Sequence, residues 1–368
     1  MDSLLTKEEL VRKGIADGGL AYTGPYGIQI GITGSCNFQC VFCGRFSSMN
    51  GEKKADIRNV YQIEKEKFLS LADTASALDV EQISIVGISE PFMHKEILLF
   101  ISWIKERSMR CMVTTLLNSD VSRRIVDSGL DILNISVNAA TEQTYERLHG
   151  KGKGRLFGPL QEKIAYLSDI KQNGGGLQLN LRYVITRENL EELESFINFA
   201  VNTGVDRIVL QHCSAPSFAL ELDLLDREKR RAAEILDKAK GRAVNSGLQN
   251  NIDYFVSMYS SASSDDSSEQ GVKVDNSYYD SNPCYVAWTY AMIMENGDVM
   301  PCCYCPTPLG NINDTAFDDI WFGNEYNSLR KKLKNLPEHP VEPKGCRCFS
   351  GCGAVGDNIR TVERLGLS

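Results

Sequence analysis

Gly27-Ile28-Gln29-Ile30-Gly31-Ile32-Thr33 alternates apolar with small or polar residues, and Cys36-Asn37-Phe38-Gln39-Cys40-Val41-Phe42-Cys43 follows three residues later. The alternation reads as a first, buried strand, and the three thiols, spaced Cys-x3-Cys-x2-Cys, sit in the loop at its end. Thiols this close can hold a metal and little else. A structural zinc site wants four ligands, and no fourth Cys or His lies within about fifty residues on either side. Three thiolates leave one corner of the metal unfilled. A cubane iron–sulfur cluster on three cysteines has one iron open to a small molecule, so the deficit that weakens zinc argues for a cluster. Zinc and unpaired structural thiols are the competing readings.

Outward from that loop the pattern repeats. Gln82–Val86, Cys111–Leu117, Ile132–Val137, Leu177–Thr186 and Arg207–Gln211 read as further strands. Between and after them, helical periods run near Tyr61–Leu78, Glu96–Glu106, Val121–Ser128, Thr141–Leu148 with Leu160–Gln172, Leu190–Asn202 and Leu222–Asn245. Six strand–helix units predict an α/β fold with a parallel sheet, because each right-handed crossover covers one face. Such a sheet curls into an open barrel with its chemistry at the carboxyl ends of the strands, where the cysteine loop lies. Ser257–Asp280, rich in Ser and Asp without an apolar period, reads as a linker or a lid. Beyond it Tyr290–Met294, Asn296-Gly297 and Val299–Cys302 carry a hairpin pattern, and a helix is expected at Asp318–Leu333. The expected division is a barrel over 1–256, a linker or lid over 257–283 and a small cysteine-rich domain over 284–368.

Composition narrows the class. The chain has 368 residues, 42% hydrophobic, enough for a full core and two domains. Its N-terminus has no apolar stretch of a signal peptide, and no run of eighteen apolar residues spans a membrane. Twelve cysteines without a secretory signal read as metal ligands in a reducing cytoplasm. A formal charge of −8 disfavours nucleic acid as a partner.

The three-cysteine motif, with Phe42 in its aromatic place, resembles the radical S-adenosylmethionine (SAM) superfamily. The resemblance implies a partial (β/α)6 TIM-like barrel and a 4Fe-4S cluster whose open iron chelates SAM through its amino and carboxylate groups. It also implies cleavage of SAM to a 5′-deoxyadenosyl radical, with Phe42 packing adenine. A second set, Cys284-x12-Gly297-x4-Cys302 with Cys346-x-Cys348-x3-Cys352, resembles the SPASM or twitch extension that binds auxiliary clusters. The closing group departs from the full seven-cysteine pattern, so one auxiliary 4Fe-4S cluster is expected, on Cys284, Cys302 and two of Cys346, Cys348 and Cys352. Zinc on the same thiols is the alternative, and hairpin packing is expected of Cys303 and Cys305.

Several positions take roles from that resemblance. Gly87-Ile-Ser-Glu90-Pro91 follows the second strand where the family's Gly-Gly-Glu-Pro segment holds the SAM amino group, although only Gly87, Glu90 and Pro91 match, and a plain turn reads the same way. Ser136, Asn138 and Arg182 stand where relatives contact the SAM ribose and carboxylate. Arg182 lies in an otherwise apolar strand and needs an anion, either a ligand or an internal carboxylate. The loop His149-Gly-Lys-Gly-Lys-Gly-Arg155 lacks phosphate-loop spacing and reads as a solvated surface loop. Cys111 opens a strand and reads as core. Cys213 ends the sixth strand at the open mouth, where its thiol is either a rim residue or a hydrogen donor to a substrate radical.

A thiol at the mouth points to hydrogen return and an inverted stereocentre. The chain therefore resembles the carbohydrate-tailoring radical SAM epimerases of antibiotic biosynthesis. That resemblance implies a small-molecule or oligosaccharide substrate and a flavodoxin- or ferredoxin-type reductant. The alternative is a dehydrogenase or a peptide-modifying (RiPP) maturase with the auxiliary cluster as electron acceptor. Peptide-modifying members often carry an N-terminal leader-binding domain, and fewer than thirty residues precede the first strand here. A separate chain could supply that domain. A non-catalytic iron–sulfur carrier or sensor is the remaining class, and it would have no use for SAM-binding segments.

Overall fold

The computed structural model describes residues 5–50, 61–87, 89–117, 122–172, 176–213, 215–261, 278–340, 343, 345–346, 348–349 and 352–367. Six strands lie side by side in chain order: β1 Gly27–Ile30, β2 Gln82–Ile85, β3 Arg110–Thr115, β4 Ile132–Ser136, β5 Gln178–Ile185 and β6 Arg207–His212. Every neighbouring pair among them is parallel. Parallel strands need long crossovers. Lys65–Ala77, Ile97–Glu106, Ser122–Asp127, Glu142–His149 with Phe157–Gln172, and Leu193–Thr203 supply them, and Asp226–Asn245 follows β6. The expected partial barrel is therefore present.

Strand register sorts the side chains. One face carries Ile28, Ile30, Ile83, Ile85, Val113, Leu133, Leu181, Tyr183 and Ile208, all buried in the main core. The opposite face carries Gln29, Ser84, Thr114, Asn134, Ser136, Asn180 and Arg182. Period two makes this separation automatic once alternate positions differ in polarity. The polar face is stitched together. Asn180 Nδ2 donates to Asn134 Oδ1 at 2.9 Å, Asn134 Nδ2 to Thr114 Oγ1 at 3.3 Å, and Tyr290 Oη to Gln29 Oε1 at 2.7 Å. The inside of the barrel is thus polar, and the outside is sealed by helices.

The sheet does not stop at β1. Strand β7, Tyr290–Ile293, pairs with it in parallel, Ile28 opposite Ala291 and Ile30 opposite Ile293. Two short antiparallel strands, β8 Asp298–Met300 and β9 Gly310–Asn311, complete a sheet of order β6-β5-β4-β3-β2-β1-β7-β8-β9. The C-terminal hairpin therefore continues the barrel sheet. The physical reason is the edge of β1: its backbone groups are buried and must be paired, and β7 pairs them.

Local readings need several corrections. The lead-in is a helix, Lys7–Asp17, opened by a capping box between Thr6 and Glu9 and packed through Val11 and Ile15 on Trp288 and Leu365. The boundary placed at 256 falls inside helix Ile252–Ser260, which packs along Asp226–Asn245. Tyr278–Ser281 is also helical, and residues 262–277 of the expected linker or lid lie outside the described residues. The helix expected at Asp318–Leu333 is two, Phe317–Trp321 and Asn324–Lys334, and Val355–Leu365 adds a last one after the closing cysteines. Among the described residues no helix is long and apolar enough to cross a membrane.

Candidate active site

Cys36, Cys40 and Cys43 lie beyond the carboxyl end of β1, in a loop held from three sides. Glu90 N–H donates to Ser35 O at 3.0 Å, and Ser89 Oγ donates to Thr33 O, which ties the end of β2 to the loop's stem. Helix Glu142–His149 ends against the loop: the carbonyls of Leu148 and His149 accept from Val41 N at 2.9 Å and Gln39 N at 3.2 Å. Ser47 closes the far side, donating from Oγ to Val41 O at 2.9 Å. Such clamping fixes where three sulfurs stand before any metal arrives.

Burial pushes the Cys36 thiol up to about 11. It raises Cys40 well above the ordinary thiol range, with Cys36 and Cys43 beside it adding to the shift. Thiols in such a site keep their protons until a metal's charge replaces them. Among the described residues no three Cys, His, Asp or Glu side chains converge on a single ion. A cubane cluster takes one thiolate per iron and so holds its sulfurs apart. The donor set fits the cluster. Sequence reasoning missed one neighbour: His149, placed on a surface loop by the glycine and lysine spacing, is fully buried, with Nδ1 3.1 Å from Cys40 Sγ.

The remaining expected residues ring the barrel mouth. Phe42 is half-buried and packs edge-on to His149, with ring centroids 6.2 Å apart. Gly87 meets the end of β1 so closely that a Cβ would stand 3.3 Å from Gly31 Cα. Glu90 is 2% exposed, and burial raises its carboxyl above the usual range. Its Oε1 accepts from Thr115 Oγ1 and Phe92 N, and its Oε2 from Leu116 N at 2.8 Å. A carboxylate offers about four acceptor positions, so one is left for a ligand. Asn138 sits in the left-handed region, φ +58°, with Oδ1 accepting from Val184 N at 2.8 Å. Its carboxamide oxygen therefore splices β4 to β5. Ser136 stands directly opposite Arg182 in the register. Arg182 Nε donates to Gln211 Oε1 at 3.2 Å, and among the described residues no ion pair engages the guanidinium, whose pKa burial lowers. The internal salt bridge considered for it is not formed there.

Cys213 is 2% exposed, with burial pushing its thiol up to about 12. It lies in a small apolar cluster with Ala219 and Leu222, and Phe42, Val41 and Phe218 pack against that cluster. The end of β6 and the cysteine loop thus share one apolar patch. A second link was invisible in sequence: Arg45, just past the loop, pairs with Glu295 at the β7–β8 turn.

The second cysteine set converges on one pocket lined by Cys284, Cys302, Cys305, Cys346, Cys348 and Cys352, with Tyr279 and Tyr304. One expectation changes here. Cys305, expected to pack the hairpin, lies among the ligand candidates, with its sulfur against that of Cys346. The cause is the short return after β8, where Cys302 and Cys305 bridge and carry Cys305 back into the pocket. Cys303 is exposed and outside that lining. Burial pushes Cys284 up to about 12, and the Tyr279 hydroxyl stands 3.6 Å from Cys352 Sγ.

Comparison with known proteins gives two domain matches: the radical SAM superfamily over residues 30–200 and SPASM, an iron–sulfur cluster-binding domain, over residues 284–352. A probable GTP 3′,8-cyclase of Saccharolobus islandicus is 28% identical over 186 residues, 50% of this chain. The match covers 55% of that protein, so the chain spans about half the length of such curated relatives. A PqqA peptide cyclase of Granulibacter bethesdensis is 25% identical over 370 residues, covering 94% of this chain and 88% of that protein. Among solved structures, Streptococcus suis SuiB bound to its precursor peptide SuiA shares the fold at TM-score 0.61 and 19% identity, covering 87% of this chain and 70% of that one. A structure of anSMEcpe with bound AdoMet does so at TM-score 0.61 and 14% identity, covering 93% and 98%. These relatives give no support to the expected sugar-epimerase resemblance. Residues 30–200 are a radical SAM domain and residues 284–352 a SPASM domain, and this pair of domains brings 4Fe-4S clusters and SAM to the chain as its cofactors.

Proposed function

We propose that the chain is a radical SAM enzyme that oxidatively modifies a peptide. The observation that carries this reading is the match to a peptide cyclase along 94% of the chain. The sugar-epimerase reading had rested on one thiol and on the short stretch before β1. A polar inner face of carboxamides and hydroxyls agrees with an amide-rich substrate, since each carboxamide offers both a donor and an acceptor to a peptide group. It would serve a sugar equally, and the match to a peptide cyclase is what supports a peptide.

In this reading the bound cluster and SAM supply a 5′-deoxyadenosyl radical, and the auxiliary cluster supplies an electron acceptor. The chain's residues do the rest. Phe42, Gly87, Glu90, Ser136, Asn138 and Arg182 hold SAM, Arg182 and Glu90 at its charged ends. Cys284, Cys302 and two of Cys346, Cys348 and Cys352 hold the auxiliary cluster, since all of these thiols line the one pocket. Cys213 keeps its hydrogen at neutral pH and packs beside the loop, and we assign it to shielding the radical site from water. The modification takes one hydrogen atom from a peptide carbon to make 5′-deoxyadenosine. Loss of one further electron and one proton would complete the new bond, and the cluster that the second cysteine set would hold is the group that would accept that electron. A flavodoxin- or ferredoxin-type protein as reductant and a reducing cytoplasm belong to the same proposal.

The test is anaerobic turnover of the reconstituted protein in deuterated water, with a library of synthetic peptides and, separately, with aminoglycosides. A peptide product lighter by two hydrogens, formed with 5′-deoxyadenosine, is expected. Deuterium at an inverted sugar carbon, with peptides untouched, would return the epimerase reading and the hydrogen-donor role of Cys213.

A further inference from the structure

Glu295 stands in the β7–β8 turn, immediately before Asn296-Gly297, yet it packs against the stem of the cysteine loop. A Cβ on Gly31 would stand 3.4 Å from Glu295 N and 3.5 Å from its Oε2, and one on Gly34 would stand 3.5 Å from its Oε1. The carboxylate pairs with Arg45, two residues past Cys43, and the Arg45 guanidinium also lies 5.3 Å from the Phe46 ring centre. The Glu295 side chain is 7% exposed and that of Arg45 24%. The two ends of the loop are held differently. Its first half is clamped by backbone bonds from other elements, at Ser35, Gln39 and Val41. Around Cys43 the bonds are internal: Cys43 N donates to Cys40 O at 2.9 Å, and Ser47 N to Cys43 O at 3.3 Å. Arg45 ties this end of the loop to the hairpin.

We propose that Arg45 and Glu295 are positioning residues of the three-cysteine site: through their ion pair the turn of the SPASM hairpin sets where Cys43 stands, and so how firmly the SAM-binding cluster is held. Groups behind a metal's ligands fix the ligands' orientation, and Arg45 stands two residues behind Cys43. A carboxylate buried as far as that of Glu295 is costly without its cation, so the pair constrains both partners once it forms. The burden is unequal. Glu295 left alone stays trapped, whereas Arg45 left alone can regain water. A pair that merely joined the two domains would steady both cysteine sets alike; a pair that positions Cys43 acts on the first set. The inference rests on the cluster reading of the three cysteines, and its test separates the two.

The experiment follows the loss of iron from the anaerobically reconstituted full-length protein to a ferrous chelator. Electron paramagnetic resonance of reduced samples separates the signal that changes when SAM is added from the one that does not. Arg45→Gln should speed loss of the SAM-responsive signal about tenfold, within the range of couplings between two residues in contact, and leave the decay of the other signal unchanged. Glu295→Gln should speed it less. The chain carrying both Arg45→Gln and Glu295→Gln should lose the signal no faster than Arg45→Gln alone, and Arg45→Lys, which keeps a cation, should recover most of the wild-type lifetime. Unchanged decay in Arg45→Gln overturns the proposal, and so does an equal acceleration of both signals, which would make the pair a general brace of the fold. Should Arg45→Gln fail to take up iron, Glu295→Gln decides on the same readout: selective loss of the SAM-responsive signal supports the proposal, and wild-type decay overturns it. A wild type with no SAM-responsive iron signal overturns the cluster reading and the proposal with it, whereas a signal that is present but indifferent to the pair overturns the proposal alone.

Discussion

Arg182 is a cation set among strand residues, with a glutamine carboxamide as its described partner. A guanidinium that has shed much of its water and gained no carboxylate holds unused binding energy for an anion. If that anion is the SAM carboxylate, Arg182→Ala should weaken SAM binding by about 1.5–3 kcal/mol, the worth of a charge-assisted hydrogen bond. Iron content should not change. Glu90 differs, because three protein donors already occupy most of its carboxylate. Glu90→Gln should therefore lower thermal stability as well as SAM affinity, since the new amide nitrogen would face donors. Calorimetric titration with SAM, beside a melting curve, checks both variants. Unchanged affinity in both would leave these residues with structural roles alone.

Among the elements, the β7–β8 hairpin explains a motif glycine. Gly297, at the centre of the Cys-x12-Gly-x4-Cys spacing, has φ +90° and closes the turn, with its N–H bonded to Met294 O at 2.9 Å. A Cβ there would stand 2.5 Å from Asn313 Nδ2 and 2.6 Å from Asn311 Oδ1. Those two asparagines are not idle: Asn311 Nδ2 donates to Asn296 O at 3.1 Å and Asn313 Nδ2 to the same carbonyl at 2.8 Å. Gly297→Ala should thus cost about 1–3 kcal/mol in backbone strain, before the displaced asparagines are counted. A lowered melting temperature, with auxiliary-cluster iron reduced more than total fold, would show the turn acting on the thiols it spaces. An unshifted melting temperature would mean that the turn relaxes without cost.

For the whole molecule, the continuous sheet ties the two cysteine sets together. β7 lies against β1, the strand that feeds the cysteine loop, and Arg45 with Glu295 joins the loop to the hairpin turn. Two four-iron clusters on one body predict about eight iron per chain after anaerobic reconstitution. Replacing Cys36, Cys40 and Cys43 together by Ala should leave about four iron and abolish SAM cleavage, as measured by iron assay and by 5′-deoxyadenosine release. Iron near four in the unmutated protein, with zinc present, would remove the auxiliary cluster.

What the sequence by itself determined is what local spacing encodes. Alternation such as Gln178-Leu-Asn-Leu-Arg-Tyr-Val-Ile185 places β5 and separates its two faces, because side-chain direction on a strand repeats every two residues. Three thiols within eight residues define a metal loop whatever surrounds them. Charge and long-range pairing are different. Whether Arg182 had an internal carboxylate depended on strands far apart in the chain. The link between Arg45 and Glu295 spans 250 residues, and the pairing of β7 with β1 depends on an edge that exists only once β1 has joined the open sheet. His149 shows the limit most plainly. A histidine before Gly-Lys-Gly-Lys-Gly looks solvated, since its neighbours in sequence are, yet the end of its helix turns the ring inward against Phe38, Phe42 and Tyr145. Only tertiary packing decides which way a side chain at a helix terminus faces, because burial is set by the elements it meets and not by the residues beside it.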